Sequence, residues 1–320
     1  MQAIKNAVKA AYSGALWHTG ALAAWLRLRP GRRAPWILNY HHIAPGPFES
    51  HLACLVRRYR IVPLDACCDY LAGAGPIAPN SVAITFDDGY EQVCHELYPL
   101  LRKYEAPAAI FVPTTPVDTR QPLWFNRVKT FFRTTSSRSV RVGDREFARE
   151  GDREAAYVAV MRHLNAQAIP TRDAMVAELL GGAELPQDRL SRYQPLSWEQ
   201  MRAMQGLVTF GGHTRTHPYL SRLSRAEAED EILGSKARLE EMLGTRVRHF
   251  AYPFGSPDSF TAETVEILKR GGFASALTTS RGPCRPGTPL HALPRILFDG
   301  SVGGRVVAAR LSGLWLFVST

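Results

Sequence analysis

Short apolar runs recur along the chain, and their spacing predicts strands separated by helices. Val82, Ile84 and Phe86 fall on one face of the run 81–86 at a period of two, as in a buried strand. Strand-like runs lie at 37–40, 82–86, 108–112, 208–211, 249–252, 274–278 and 295–298. Helix-like stretches separate most of these runs, and this alternation is typical of a parallel sheet or barrel.

Two stretches carry clear helix signals. In 224–243, Ser224 is the predicted N-cap, Glu227 completes a capping box and Gly244 ends the helix. A second helix is predicted over 90–104, directly after a pair of acidic residues. Its amino-terminal dipole would favour the ionised form of nearby carboxylates.

Candidate chemistry lies at the ends of two predicted strands. The run 82–86 ends in Asp87, Asp88 and Gly89, and His213 and His217 follow the run 208–211 after glycines. Alone, an Asp-Asp-Gly sequence is usually a solvated turn, and paired histidines are often surface or core residues. Together they predict a mononuclear metal hydrolase, because barrel enzymes place their sites at strand ends and buried carboxylates need a cation. One carboxylate and two imidazoles suit zinc or a similar divalent ion.

A third segment, Phe-Ala-Tyr-Pro-Phe-Gly at 250–255, follows the Thr-Phe-Asp-Asp-Gly and His-Thr-Arg-Thr-His motifs. With these three in order, the chain resembles the polysaccharide deacetylases of carbohydrate esterase family 4, the NodB-homology fold. Within that family it is most similar to the branch of bacterial poly-N-acetylglucosamine deacetylases. The resemblance implies a distorted (β/α) barrel over 36–300 with a largely helical insertion at about 117–195. A basic amphipathic segment, 1–35, precedes it, and an apolar and basic segment, 301–320, follows.

The resemblance also implies a role for each motif residue. Asp87 would be the general base, and Asp88, His213 and His217 would bind one divalent metal. Zinc is the first expectation, with cobalt, nickel and iron as alternatives. An amide carbonyl is a poor electrophile, so the reaction needs a Lewis acid and a base. The backbone N–H of Phe254 would join the metal in stabilising the tetrahedral oxyanion.

Two further roles rest on departures from the family pattern. A Tyr-His element near the amino end resembles the last sequence motif of the family, moved to an earlier place in the chain. The histidine of that motif is the general acid, so the resemblance assigns this role to His41. The alternative is that His41 or His42 only caps the strand. His42 is expected to point away, since strand side chains alternate. Ala251 replaces an arginine that orients the catalytic aspartate in many members. Arg295, flanked by apolar residues, is the candidate substitute, with a structural ion pair elsewhere as the alternative.

The expected substrate is an N-acetylated amino sugar in a bacterial surface polysaccharide or its lipid-linked precursor. Tyr252, Pro253 and Trp124 are the expected substrate-binding residues. Trp124, with Phe125 and Phe131, could stack on sugar rings, although aromatic residues in such a segment are more often core. An O-acetyl esterase and a catalytically silent glycan-binding module are the rival hypotheses. The complete set of base and metal ligands argues against the silent module.

Composition and charge bear on partners and location. The chain has 320 residues, 45% of them hydrophobic, and a net charge of +10. No nucleic-acid reader motif accompanies this charge, so an anionic membrane or glycan is the expected partner and nucleic acid is not. Six basic residues are concentrated near the amino end: Lys5, Lys9, Arg27, Arg29, Arg32 and Arg33.

The apolar and basic sequences at the two chain ends have two interpretations. The stretch 7–28 contains no clean apolar span of the roughly 18 residues that a membrane helix needs, and no clear cleavage site. Both ends could lie on a bilayer or pack on the barrel as helices. The five cysteines are odd in number and predict no disulfide framework, which favours a reducing compartment. The expectation is a cytoplasmic enzyme that can dock peripherally on the inner face of a membrane.

Overall fold

The computed structural model describes residues 11–28, 33–148, 152–181 and 183–313, and its centre is a curled parallel sheet. Along the sheet the strands follow the order β10-β1-β3-β4-β7-β8-β9, with β2 also paired to β3, while β5 and β6 form a separate antiparallel hairpin. The strands are β1 (Trp36–Tyr40), β2 (Arg60–Ile61), β3 (Ser81–Phe86), β4 (Ala108–Val112), β5 (Ser139–Val142), β6 (Arg145–Ala148), β7 (Val208–Gly212), β8 (His249–Ala251), β9 (Ser275–Leu277) and β10 (Ile296–Leu297).

The two ends of the sheet approach each other. A parallel bridge joins Leu277 in β9 to Leu293, which lies three residues before β10, and β10 pairs in turn with β1. The sheet therefore curls into the predicted distorted (β/α) barrel. All seven predicted strands are present, with ends that differ from the prediction by no more than one residue. The carboxyl ends of the parallel strands consequently meet at one mouth.

Helices pack on the outside of the sheet. Their apolar faces join a main hydrophobic cluster that includes β1, β3, β4 and β7, and a smaller cluster lies around Phe111. The helices are α1 (Ala21–Leu28), α2 (Pro45–Arg58), α3 (Leu64–Leu71), α4 (Tyr98–Lys103), α5 (Thr114–Thr119), α6 (Trp124–Thr134), α7 (Arg153–Asn165), α8 (Ile169–Leu180), α9 (Gln187–Leu190), α10 (Trp198–Met204), α11 (Arg225–Glu229), α12 (Ser235–Leu243), α13 (Ala262–Arg270) and α14 (Gly304–Leu311).

One helix prediction is confirmed and one is wrong at its start. Ser224 and Glu227 form the predicted capping box, and Gly244 caps the end at φ +65°, although a π-helical turn, Asp230–Gly234, separates α11 from α12. The second helix begins only at the π-helical segment Val93–Leu97. The Gly89 carbonyl and the Glu91 N–H instead bond to Leu196 and Gln194, so the chain next to the aspartates pairs with another segment. No helix dipole therefore begins directly after the aspartates.

The insertion at about 117–195 is built mainly from α6, α7 and α8. These helices enclose a hydrophobic cluster of their own that includes Val128, Val160 and Val176. The hairpin of β5 and β6 was not predicted by the helical pattern. Its signal is the turn pair Gly143-Asp144 between Val140, Val142 and Phe147, a sequence that favours a two-residue hairpin loop.

The described parts of both chain ends pack on the barrel. Leu22 and Leu26 of α1 are buried in the main cluster, α14 buries most of its residues, and Trp25 Nε1 donates a hydrogen bond to the Ser312 carbonyl at 2.8 Å. Lys5, Lys9, Arg29, Arg32 and the segment 314–320 lie outside the described residues. Within the described ranges, no helix is long and apolar enough to cross a membrane. All five cysteines are free, as predicted.

Candidate active site

The strand β3 delivers two buried carboxylates to the mouth of the barrel. Every residue of β3 is buried, and Asp87 and Asp88, which follow it, are only 2% and 5% exposed. A carboxylate at such a depth is unfavourable unless charged or hydrogen-bonding groups compensate for its lost hydration. The partners of the two aspartates therefore define the chemistry of the site.

Asp87 is held by a buried arginine and an asparagine. The two terminal nitrogens of Arg295 donate to its two carboxylate oxygens, each at 2.7 Å, and Asn39 Nδ2 donates to Oδ2 at 3.0 Å. Arg295 is 1% exposed and is fixed in turn by a bond from Nε to the Thr278 carbonyl. Burial acts to raise the pKa of Asp87, but the charge and hydrogen bonds of Arg295, together with the nearby His213 and His41, lower it below its usual range. Asp87 is therefore an ionised carboxylate with a fixed orientation at neutral pH.

His41 lies beside this carboxylate and also reaches solvent. Its Nε2 is 3.9 Å from Asp87 Oδ2, and 40% of its side chain is exposed. His42 points away, as predicted: its ring stacks on Tyr90 at 4.0 Å, and its Nδ1 pairs with Gln92 Oε1 at 3.1 Å. The two neighbouring histidines thus have different environments, and of the two only His41 lines the cavity with the aspartates.

Asp88, His213 and His217 converge on one point. Their ligand atoms all lie within 4.8 Å of one another, with the two Nε2 atoms 3.6 and 3.5 Å from Asp88 Oδ1. His213 Nδ1 is 2.7 Å from the Ala251 carbonyl, so this nitrogen donates its proton to that carbonyl, and Nε2 is the ring atom that faces Asp88. Asp88 Oδ1, which both Nε2 atoms face, has no hydrogen-bond partner.

A bound cation would compensate the buried negative charge of Asp88. Burial lowers the pKa of His217 to about 3, so its imidazole is neutral at physiological pH and does not itself neutralise Asp88. Buried acceptors without donors are costly, whereas a divalent ion accepts a lone pair from each of them. The three residues thus fit a metal ion on the chemistry of the donor set alone.

A cavity of about 180 Å³ joins the two aspartates and their partners. The third motif forms one wall, where Tyr252 hydrogen-bonds through its hydroxyl to the His291 carbonyl and Phe254 stacks on Tyr219 at 4.0 Å. The lining residues are His41, Asp87, Asp88, Phe125, His213, His217, Tyr252, Phe254 and Thr279. The space is small, as a pocket for a short acyl group would be.

The comparisons with known proteins agree with this geometry. A family model described as polysaccharide deacetylase matches residues 74–276, which is more than half of the chain. The chain belongs to the polysaccharide deacetylase family. The matched range holds both aspartates, both metal-site histidines and the third motif, whereas His41 and Arg295 lie outside it. Membership identifies a hydrolase that acts on the acetyl groups of polysaccharides.

Individual relatives are distant in sequence. The Bacillus subtilis (strain 168) protein YxkH is 21% identical over 303 residues, which span 91% of this deacetylase and 81% of YxkH. The Streptococcus pyogenes deacetylase PplD in complex with acetate has a TM-score of 0.58 and 18% identity over 85% of this chain and 95% of PplD. IcaB from Ammonifex degensii has a TM-score of 0.58 and 22% identity over 88% of this chain and 97% of its own. These structures share the fold.

The aromatic residues of the insertion divide between the site and the core of this deacetylase. Trp124, an expected sugar-binding residue, is 8% exposed and packs in the insertion core beneath the Arg172 guanidinium, 4.8 Å from its ring. Its neighbour Phe125 lines the cavity, with its ring 5.0 Å from that of His217. Phe125 is therefore the insertion aromatic that reaches the site. Pro253 lies between the cavity residues Tyr252 and Phe254 and is not among the lining residues.

The backbone of the deacetylase site adopts unfavourable conformations. Asp88, Thr214, His217 and Phe254 have φ between +59° and +69°, although none is glycine. The left-handed region costs an L-residue about 1–2 kcal/mol. Such conformations cluster where the surrounding structure fixes a functional geometry. In this case they occur at two candidate metal ligands and at the Phe254 peptide, and the Phe254 N–H has no acceptor among the described residues.

Glu231 fixes the loop that carries the two metal-site histidines, and the sequence pattern did not identify it. It lies in the π-helical turn, is 4% exposed, and accepts bonds from the N–H groups of Arg215 and Thr216 at 2.7 and 2.9 Å. It also accepts the Thr216 hydroxyl at 2.7 Å. These three hydrogen bonds to one carboxylate fix residues 215–216, which lie between the candidate metal ligands His213 and His217.

Replacing Glu231 with alanine should therefore lower stability. The loss leaves two backbone N–H groups without acceptors, which costs about 1–3 kcal/mol. Urea unfolding followed by circular dichroism measures the change in the free energy of unfolding. Asp230→Ala is the matched control, because Asp230 lies next in sequence but only pairs with Arg215 on the surface, where such pairs contribute about 1 kcal/mol or less. Equal losses in the two variants would show that Glu231 does not fix the loop.

Proposed function

We propose that this protein is a divalent-metal-dependent hydrolase that removes the N-acetyl group of an amino sugar. The substrate is a bacterial surface polysaccharide or its lipid-linked precursor. The observation that supports this best is the meeting, within one cavity of about 180 Å³, of a three-residue metal-binding set and a separate ionised carboxylate. A site for hydrolysis of an unactivated amide needs both parts.

Asp88, His213 and His217 would hold the ion. Zinc suits two imidazoles and one carboxylate best, and cobalt, nickel and iron accept the same ligands. When bound, the ion supplies Lewis acidity that polarises the acetyl carbonyl and favours deprotonation of water. The hydrogen bond from His213 Nδ1 to the Ala251 carbonyl fixes the tautomer that binds through Nε2.

Asp87 is the proposed general base. It is ionised, and both of its oxygens are fixed by Arg295, so it can accept the proton of the attacking water without first changing orientation. Arg295 would replace the arginine that many family members carry at the position of Ala251. It comes from a different part of the chain, directly before β10. The Phe254 N–H, which lacks another acceptor, is the proposed donor to the developing oxyanion.

His41 is the proposed general acid. The amine can leave only after its nitrogen is protonated, and His41 is the imidazole that lines the cavity without belonging to the metal-binding set. Its exposed fraction of 40% lets it take a new proton from solvent after each turnover. An acid in this position favours amide over ester hydrolysis, since an alcohol leaves more easily than an amine.

The decisive test compares N-acetyl with O-acetyl release. Purified protein loaded with zinc is incubated with an N-acetylglucosamine oligomer or with an O-acetylated glycan, and free acetate and new amines are measured. We expect acetate and amine in equal amounts from the first substrate. Acetate release from the second substrate alone would replace this proposal with an O-acetyl esterase, and release from neither would favour a glycan-binding module.

Arg295→Ala tests whether Arg295 keeps the proposed general base, Asp87, ionised. Without the guanidinium, only the nearby histidines oppose the effect of burial, so the pKa of Asp87 rises and a larger fraction is protonated at low pH. The rate should fall, and the acidic limb of the pH–rate profile should move to higher pH. Arg295→Lys is the companion variant: it keeps a charge but loses the two-pronged contact, and its limb should move less. An unchanged profile in both variants would leave Arg295 with a structural role only.

We also propose peripheral contact with an anionic membrane at the inner face. The net charge of +10, the basic amino end and the exposed side chains of Trp25 and Leu28 support it. Each Lys or Arg near such a surface contributes about 1 kcal/mol. Flotation with anionic liposomes should succeed at low salt, weaken at high salt, and fail when Lys5, Lys9, Arg32 and Arg33 are changed to glutamate. Equal flotation with neutral liposomes would exclude a role for charge.

A further inference from the structure

The insertion touches the metal-binding residues through a buried hydrogen-bond chain. Asn126, in the first turn of α6, donates from Nδ2 to the Tyr90 hydroxyl at 2.8 Å, and that hydroxyl donates to Asp88 Oδ2 at 2.7 Å. The three side chains are 3%, 3% and 5% exposed. Since solvent is excluded, these bonds alone satisfy the groups that they join.

The chemistry of the three groups determines which of them donates in each hydrogen bond. The ionised carboxylate of Asp88 can only accept, so the single Tyr90 proton points to it. The Tyr90 oxygen is then an acceptor, and the Asn126 amide group must present its N–H. This arrangement occupies Asp88 Oδ2 and leaves Oδ1, the atom that faces both histidines, without a hydrogen bond.

Further contacts hold Tyr90 in place from the same side. His42 stacks on its ring at 4.0 Å and 18°. The chain on either side of Tyr90 pairs with the end of the insertion: Leu196 N–H donates to the Gly89 carbonyl, and Glu91 N–H donates to the Gln194 carbonyl, each at 2.8 Å. The neighbour of Asn126, Phe125, places its ring 5.0 Å from His217. The insertion thus contacts Asp88 through Tyr90 and contacts His217 directly.

We propose that Tyr90 and Asn126 are positioning residues for the metal ligand Asp88, and that the insertion is a structural part of the metal centre. This inference rests on the metal dependence proposed above. The hydrogen bond to Oδ2 fixes the rotation of the carboxylate so that Oδ1 points to the ion, and the Asn126 amide fixes the proton of Tyr90 toward Asp88. Such outer contacts orient a ligand before the ion arrives and so increase affinity.

Metal affinity measured without substrate tests the proposal. Zinc is titrated into the full-length metal-free protein in competition with a fluorescent chelator. Tyr90→Phe keeps the ring and its stacking on His42 but removes the hydroxyl, and it should weaken zinc binding by about 10- to 100-fold. Asn126→Ala should weaken binding in the same direction by less, since Tyr90 retains its proton. The double variant should bind zinc no more weakly than Tyr90→Phe alone, because Asn126 acts only through that hydroxyl.

The controls separate positioning from general stability. Thr130→Val removes a buried hydroxyl one turn along α6, which bonds only to the Asn126 backbone carbonyl, and it should leave zinc affinity unchanged. Thermal unfolding of each metal-free variant shows whether any loss follows stability instead. Zinc affinity equal to wild type in both Tyr90→Phe and Asn126→Ala would overturn the proposal that these residues position Asp88. Additive losses in the double variant would overturn it as well. A wild-type protein that binds no divalent ion would instead overturn the proposed function.

Discussion

Asp87→Asn is expected to keep the metal ion and to lose about 10²-fold or more of its turnover. Asparagine has nearly the same shape but cannot accept a proton at neutral pH, and it gives Arg295 a single acceptor oxygen in place of two. The proposed metal ligands Asp88, His213 and His217 are unchanged. The loss should therefore fall on the chemical step and not on ion binding.

The measurements for this variant are acetate release under saturating zinc and zinc content after dialysis. A buried arginine deprived of its carboxylate destabilises a protein by about 3–5 kcal/mol, so thermal unfolding must show that the variant is folded at the assay temperature. Asn39→Ala removes the other bond to Asp87 without changing the base and is the matched comparison. Near-wild-type turnover of folded Asp87→Asn would place the base elsewhere.

His213→Ala should abolish stoichiometric zinc binding and, with it, activity. The substitution removes one of three ligands that lie within 4.8 Å of one another, and the two that remain cannot enclose the ion. It also frees the Ala251 carbonyl, which His213 Nδ1 contacts at 2.7 Å. Asp88→Asn should give the same result by removing the negative ligand.

Zinc content by mass spectrometry and chelator competition measure this loss. His95→Ala removes an imidazole that is 62% exposed and should leave one zinc per chain. Undiminished zinc in folded His213→Ala would refute the assigned ligand set. Asp87→Asn and His213→Ala therefore distinguish the two adjacent functions of the site, since the first should separate activity from metal binding and the second should not.

The apolar pattern predicted the parallel strands because each strand carries its own signal, whereas the distorted barrel followed from the resemblance to the family. The run from Val82 to Phe86 is apolar and ends abruptly in charge, so both its burial and its direction into a site follow from the pattern. Arg295 was a candidate because apolar residues surround it while Ala251 lacks the expected side chain. The structure places its guanidinium on Asp87. Such predictions succeed where the local sequence and the tertiary environment make the same demand.

The contacts around the proposed metal ligands did not follow from the sequence. Glu231 stands in a helix rich in acidic and basic residues, where a buried carboxylate looks the same as a solvated one. Asn126 lies beside two aromatic residues, and nothing in its neighbourhood indicates a bond to Tyr90. The helix predicted from residue 90 fails for a related reason, because residues 194–196 pair with that segment. Each case depends on a partner distant in the chain, which local periodicity does not report.

The position at which the chain enters the barrel determines how close to a membrane the active site can work. Arg33 and Ala34 lead into the amino end of β1, and Asn80, at the amino end of β3, donates to the Leu26 carbonyl of α1. The catalytic mouth lies at the opposite, carboxyl ends of these strands. Five residues of β1 span up to about 17 Å. An enzyme tethered by its basic segment would thus stand with its mouth away from the lipid headgroups, and would select sugars several residues out along a glycan over those next to its lipid.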